Sequence, residues 1–168
     1  MNIVEKLKQA FSGVEWEIIE DEIECITFQF NDYYELTRVY VYLDGNRIEK
    51  CVIETASLDN EIVSPYSCHE CTYEDCYYWD KEKGECSITD DKIDELIAKW
   101  NGTLLEKDDL EVHRIIVGID CYVNIPHEHL YYGYKIIIHN PSVEEVVTAV
   151  HNLDDIINLA LNNKVQID

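Results

Sequence analysis

The run LTRVYVYLDGNRIEKCVIET, Leu36 to Thr55, constrains the fold more than any other part of the chain. Two stretches rich in β-branched and aromatic residues flank Asp44-Gly45-Asn46. Gly and Asn accept the positive φ of a tight reversal, so the segment reads as a β-hairpin. A short strand at Trp16 to Ile19 and a second at Ile23 to Phe30, with Ile26, Phe28 and Phe30 on one face, make it a meander. Ile3, Val4, Leu7, Ala10 and Phe11 recur at helical spacing before it, and Ser12-Gly13 stops that helix.

The second half repeats the outline. Ile93, Leu96, Ile97 and Trp100 define a helix with Thr89 or Asp90 as its N-cap and Gly102 past its end. A short strand at Thr103 to Leu105, an Asp108-Asp109 turn and two long strands follow, Glu111 to Asn124 and Leu130 to His139. Setting Ile115 opposite Ile138 and Val117 opposite Ile136 makes one face uniformly apolar. On the other face Arg114 then meets His139 and Tyr122 meets Tyr131. Pro141-Ser142 opens the last helix with a capping box from Ser142 to Glu145, and Val143, Val146, Val147, Val150 and Ile157 form its buried stripe. The expectation is α+β: a mostly antiparallel sheet with three helices, a duplicated α-β-β-β unit, and an inserted four-cysteine metal loop. One domain is expected over 1–168, with the loop insertion at 64–87.

With 168 residues, 46% of them hydrophobic, such a chain buries a core without staples. No apolar run approaches the roughly 20 residues that span a bilayer, and MNIVEKLKQAF is an amphipathic helix pattern rather than a secretory signal. A cytoplasmic protein is expected. There disulfides rarely persist, and clustered thiols more often bind metal.

Four of the seven cysteines fall within SCHECTYEDCYYWDKEKGEC. Cys68, Cys71, Cys76 and Cys86 have the spacing C-x2-C-x4-C-x9-C, and Lys83-Gly84 supplies a turn that returns Cys86 to the others. Four thiolates suit one closed, structural Zn2+. An iron-sulfur cluster is the alternative, because four-thiolate ligation serves it equally. His69 could replace one thiolate. Cys25, Cys51 and Cys121 lie in strands and read as buried free thiols. His127, Glu128 and His129 fall in a hairpin loop, where His-x-His places two imidazoles on one side without the helical spacing of zinc hydrolases.

Charge narrows the function classes. Asp and Glu number 35 against 13 Lys and Arg, a formal net charge of -22, which excludes direct binding to nucleic acid or to an anionic membrane. Cys51 through Asp80 contains no Lys or Arg, and Glu15 to Glu24 carries six carboxylates, Glu15, Glu17, Glu20, Asp21, Glu22 and Glu24, and no base. On extended chain Glu20, Glu22 and Glu24 would lie about 6.7 Å apart on one side, of the order of phosphate spacing along a nucleic-acid strand. No nucleophile elbow, P-loop, dinucleotide glycine motif or kinase signature is present. The reading is a non-enzymatic acidic protein that occupies the basic groove of a nucleic-acid-handling enzyme or complex, as nucleic-acid mimics of the anti-defence type do, anti-CRISPR and anti-restriction inhibitors among them. The alternatives are a metal-dependent redox or hydrolytic protein using the cysteine loop, or a zinc-stabilised structural adaptor.

Overall fold

The computed structural model describes residues 1–13, 15–32, 35–57, 74, 78–100, 102–121 and 128–167, without the side chains of residues 57, 99, 100, 116–121, 128–132 and 163–167. Helix α1 (Ile3–Ala10) is opened by a capping box in which Asn2 accepts from the Glu5 amide at 2.8 Å and Glu5 reaches back to the Asn2 amide. Four strands follow, β1 (Trp16–Asp21), β2 (Cys25–Asn31), β3 (Glu35–Asp44) and β4 (Arg47–Ser57), each antiparallel to the next. Gly45 at φ +62° makes the expected β3–β4 reversal.

A short hairpin of two-residue strands, β5 (Trp79–Asp80) with β6 (Glu85–Cys86), precedes α2 (Asp90–Trp100). Thr89 is the α2 N-cap, its hydroxyl accepting from the Lys92 amide at 3.2 Å. Then come β7 (Gly102–Lys107), β8 (Leu110–Cys121), β9 (Glu128–His139), α3 (Val143–His151) and α4 (Leu153–Ile167). The capping box at Ser142 and Glu145 is present as expected.

The two meanders form one seven-stranded antiparallel sheet, ordered β1-β2-β3-β4-β9-β8-β7, joined where Val52 of β4 meets Ile137 of β9. The fold is mixed α+β. α1 is followed by four strands of the sheet and α2 by three. The two halves meet at the sheet centre, so β1 and β7 become its two rims.

One face of this sheet carries the main core. Ile26 and Phe28, Val39 and Val41, Cys51 and Ile53, Val112 and Ile136 project from five strands and pack under Leu7 of α1 and its C-cap Phe11, Val146 and Val150 of α3, and Ala160 of α4. Burying each large aliphatic or aromatic side chain of this set contributes about 1.5–3 kcal/mol. Phe11 stacks on Phe28 at 4.4 Å between ring centroids and meets Trp16 edge-on, tying α1 to the β1 side of the sheet. On the other face, cross-strand neighbours Gln29, Arg38, Glu54, Lys135 and His113 line up across five strands.

Two expectations are corrected. The described residues form four helices, not three, because the last one breaks at Asn152. The Asn152 side chain donates to the Thr148 carbonyl at 2.6 Å, ending α3, while its own carbonyl accepts from Ile156 and starts α4. In the β8–β9 hairpin, Val112 rather than Val117 lies opposite Ile136, Ile138 faces Leu110, and Arg114 faces Tyr134 rather than His139. β8 is apolar at both parities, Leu110, Val112 and Ile116 as well as Ile115, Val117 and Ile119, so alternation does not select the buried set. A bulge between Ile116 and Gly118 then shifts the register by one partway along. The expected Tyr122–Tyr131 pair lies outside the described residues.

Candidate functional site: an acidic rim

β1 is the outermost strand of the first meander. The six carboxylates from Glu15 to Glu24, three of them on β1 itself, are all exposed, but they do not form one row. Glu17 pairs across to Gln29 and Glu20 to Thr27, while Asp21 pairs with Ile26 of the helix-covered face, where it meets Lys8 of α1 at 2.5 Å. The chain reverses immediately afterwards: Glu22 and Cys25 exchange both backbone hydrogen bonds, leaving Ile23 and Glu24 at the hairpin tip. The expected one-sided row of Glu20, Glu22 and Glu24 is therefore replaced by a cluster wrapped around a strand end. A hydrogen bond and like charge from Glu20 raise the Glu22 pKa above the ordinary carboxylate range.

Apolar residues interleave with these charges, which the sequence reading assigned to strands without placing them at the surface. Ile18 is 45%, Ile19 42% and Ile23 96% exposed, three of the five large apolar residues exposed among the described residues. Ile18 lies opposite Phe28 of the helix-covered face but on the outermost strand, and Ile19 is the unpaired residue of a bulge between Ile18 and Glu20.

A groove of about 420 Å³ opens where β1 begins, between the rim and the α3–α4 break. Trp16 and Phe30 stack at 5.3 Å between centroids along it, and Glu15, Glu35, Asp154 and Asp155 also line it. Burial, then the nearby Asp154 and Asp32, raise the Glu35 pKa.

A second groove, about 520 Å³, lies on the opposite sheet face near β7. Glu111 bridges two imidazoles there, His139 Nε2 at 2.5 Å and His113 Nε2 at 3.2 Å, and His113 Nδ1 lies 3.2 Å from the Thr103 hydroxyl. The His139 hydrogen bond, ahead of the opposing effect of burial, lowers the Glu111 pKa, and His113 adds to it. Among the described residues no group of His, Cys, Asp and Glu is arranged to hold a metal ion.

Cys68, Cys71 and Cys76, with His69, His127 and His129, lie outside the described residues, as does the side chain of Cys121. Cys86 is half-buried on β6 opposite Trp79, brought back by a turn with Gly84 at φ +65°. Cys51 is a buried free thiol, its pKa pushed up to about 12 by burial, whereas Cys25 is free but only half-buried. No described helix is long and apolar enough to cross a membrane. No protein family, curated protein or solved structure matches the chain.

Proposed function

We propose that this chain is a non-enzymatic binding protein whose β1 rim occupies the basic groove of a nucleic-acid-handling protein, competing there with nucleic acid as an inhibitor of the anti-defence type does. One observation carries the reading. Glu15, Glu17, Glu20, Glu22 and Glu24 are exposed on one rim and have no basic partner among the described residues, and the sixth carboxylate, Asp21, has only Lys8. A rim of unneutralised carboxylates on a rigid sheet raises the local concentration of cationic surfaces and speeds encounter with them.

The test is capture of the partner followed by competition. Replacing Glu20, Glu22 and Glu24 with Lys should abolish capture, whereas reversing Glu144 and Glu145, at the start of α3, should not. Salt should weaken association steeply, because exposed charges are screened beyond about 8 Å at physiological ionic strength. Simultaneous binding of this chain and nucleic acid to the partner, or undiminished capture by the triple variant, would refute the reading.

Cys68, Cys71, Cys76 and Cys86 are proposed to hold one structural Zn2+, with an iron-sulfur cluster as the alternative. Return of Cys86 by the β5–β6 hairpin supports this. Metal analysis of the anaerobically purified protein separates the two: one colourless zinc per chain, or brown protein with iron and sulfide. Full metal retention by Cys86→Ser would remove that residue from the set.

A further inference from the structure

The two rims of the sheet are built alike and covered differently. β1 reads Trp16-Glu17-Ile18-Ile19-Glu20-Asp21 and β7 reads Gly102-Thr103-Leu104-Leu105-Glu106-Lys107. Each pairs with one antiparallel neighbour, and each carries a bulge at its apolar doublet, between Ile18 and Glu20 in one and between Thr103 and Leu105 in the other. On β7 the doublet is buried, Leu104 and Leu105 belonging to the same core cluster as Ala160 of α4, which packs on that strand. On β1 the doublet is 45% and 42% exposed.

We infer that Ile18 and Ile19 are the seat of a helix from the partner, which covers the β1 rim as α4 covers the β7 rim. This inference rests on the proposed binding role and specifies the partner's element: an amphipathic helix with an apolar stripe over Ile18 and Ile19 and lysine or arginine flanks. Charge complementarity fixes the flanks, since Glu17 and Glu20 border the doublet and Asp21, Glu22 and Glu24 follow it. A second copy of the chain fits poorly, because pairing two β1 rims would set these carboxylates against each other. An apolar element without bases would leave them buried and uncompensated.

The experiment uses the full chain and three synthetic peptides of about 15 residues, long enough for marginal helix formation in water. The first has a leucine stripe at helical spacing with lysine flanks. In the second the stripe is glutamine and every lysine is kept. The third has the composition of the first, with leucine and lysine alternating as in a strand. Binding at physiological salt is followed by fluorescence anisotropy, and the backbone amides of Glu17 to Glu24 by NMR. The first peptide should bind saturably and shift those amides. The protein variant with Ile18→Thr and Ile19→Thr, which keeps β-branched residues on the strand, should bind it at least about tenfold more weakly, as expected when two apolar contacts are lost. Leu159→Thr, at an exposed apolar position elsewhere, should bind as the wild type does.

Equal binding of the glutamine-stripe peptide would overturn the helix seat while leaving the charge-based groove reading standing. Tighter binding of the alternating peptide would overturn it in favour of strand addition. Sedimentation of the wild type as a dimer and of the isoleucine variant as a monomer would assign the doublet to self-association. The groove reading fails separately, if the Glu20, Glu22 and Glu24 to Lys variant still captures the partner.

Discussion

The β1 and β7 rims differ less in covalent pattern than in what lies over them. Both are six-residue outer strands with a bulge and a pair of branched apolar residues, and both lead into an acidic turn. On β7 the pair is under α4; on β1 it is about two-fifths exposed. The neighbouring element therefore determines whether such a pair adds to stability. At β7 they contribute to folding. At β1 they are left partly exposed and contribute less.

The sharpest way to break this comparison is to remove the cover. Ala160 is fully buried in α4 within the main core cluster, so Ala160→Asp would place an unpaired carboxylate there. A loss of several kcal/mol is expected, enough to abolish cooperative unfolding in urea. A variant as stable as wild type would mean that α4 does not close the β7 rim. The next effect in size is the contrast itself. Leu104→Ala or Leu105→Ala should cost about 2–4 kcal/mol, whereas Ile18→Ala or Ile19→Ala should cost under about 1 kcal/mol. Equal losses at the two rims would show that the β1 doublet is already covered in the free chain.

The β7–α4 side was the less legible from sequence. The Leu36 to Thr55 hairpin, α1, the α2 cap at Thr89 and the Ser142 capping box all follow from local rules: positive φ at Gly45, helical periodicity, and side chains that satisfy free amides. α4 was missed as a separate helix, although Leu153, Ile156, Ile157, Ala160 and Leu161 repeat at helical spacing and pack on the core. Asn152 is compatible with a helix interior, and its non-helical backbone, with its amide on Ala149 and its side chain on Thr148, makes it a terminus. The β8 register was also hidden, because both parities of that strand are apolar and a bulge switches between them. The acidic rim was legible as composition, but not as shape. Six closely spaced carboxylates predict a charged surface, while the reversal between Glu22 and Cys25 that folds the row onto itself depends on pairing with β2.

A smaller effect tests how firmly the β1 rim is held by its own helix. Lys8 and Asp21 are each about two-fifths exposed, so their ion pair is screened by solvent. Lys8→Ala should cost no more than about 1 kcal/mol in urea unfolding. Because it removes the base paired with Asp21, it should also strengthen capture of a basic partner slightly. Weaker capture would make Lys8 part of the binding surface instead of a brace for β1.

The smallest expected effects are of opposite sign on the two sides of the sheet. Glu111, near the β7 rim, has its pKa lowered chiefly by the His139 hydrogen bond. A depressed folded-state value means that its contribution to stability is fully present above the unfolded glutamate value of about 4.3 and is lost as pH falls through the lower folded value. Glu22, at the tip beside β1, has its pKa raised by Glu20. Its ionisation therefore opposes folding above the raised value, and acid relieves that opposition as pH falls from the raised value towards about 4.3. Urea midpoints of Glu111→Gln and Glu20→Gln measured against wild type from neutral to acid pH would separate the two. Glu111→Gln should be the less stable at neutral pH, with the difference shrinking only below the ordinary glutamate range. Glu20→Gln should be the more stable at neutral pH, with its advantage fading at higher pH than the Glu111 difference does. If both differences had the same sign at neutral pH, the contrast would fail: either the β1 cluster carries no like-charge strain, or the imidazoles do not stabilise ionised Glu111.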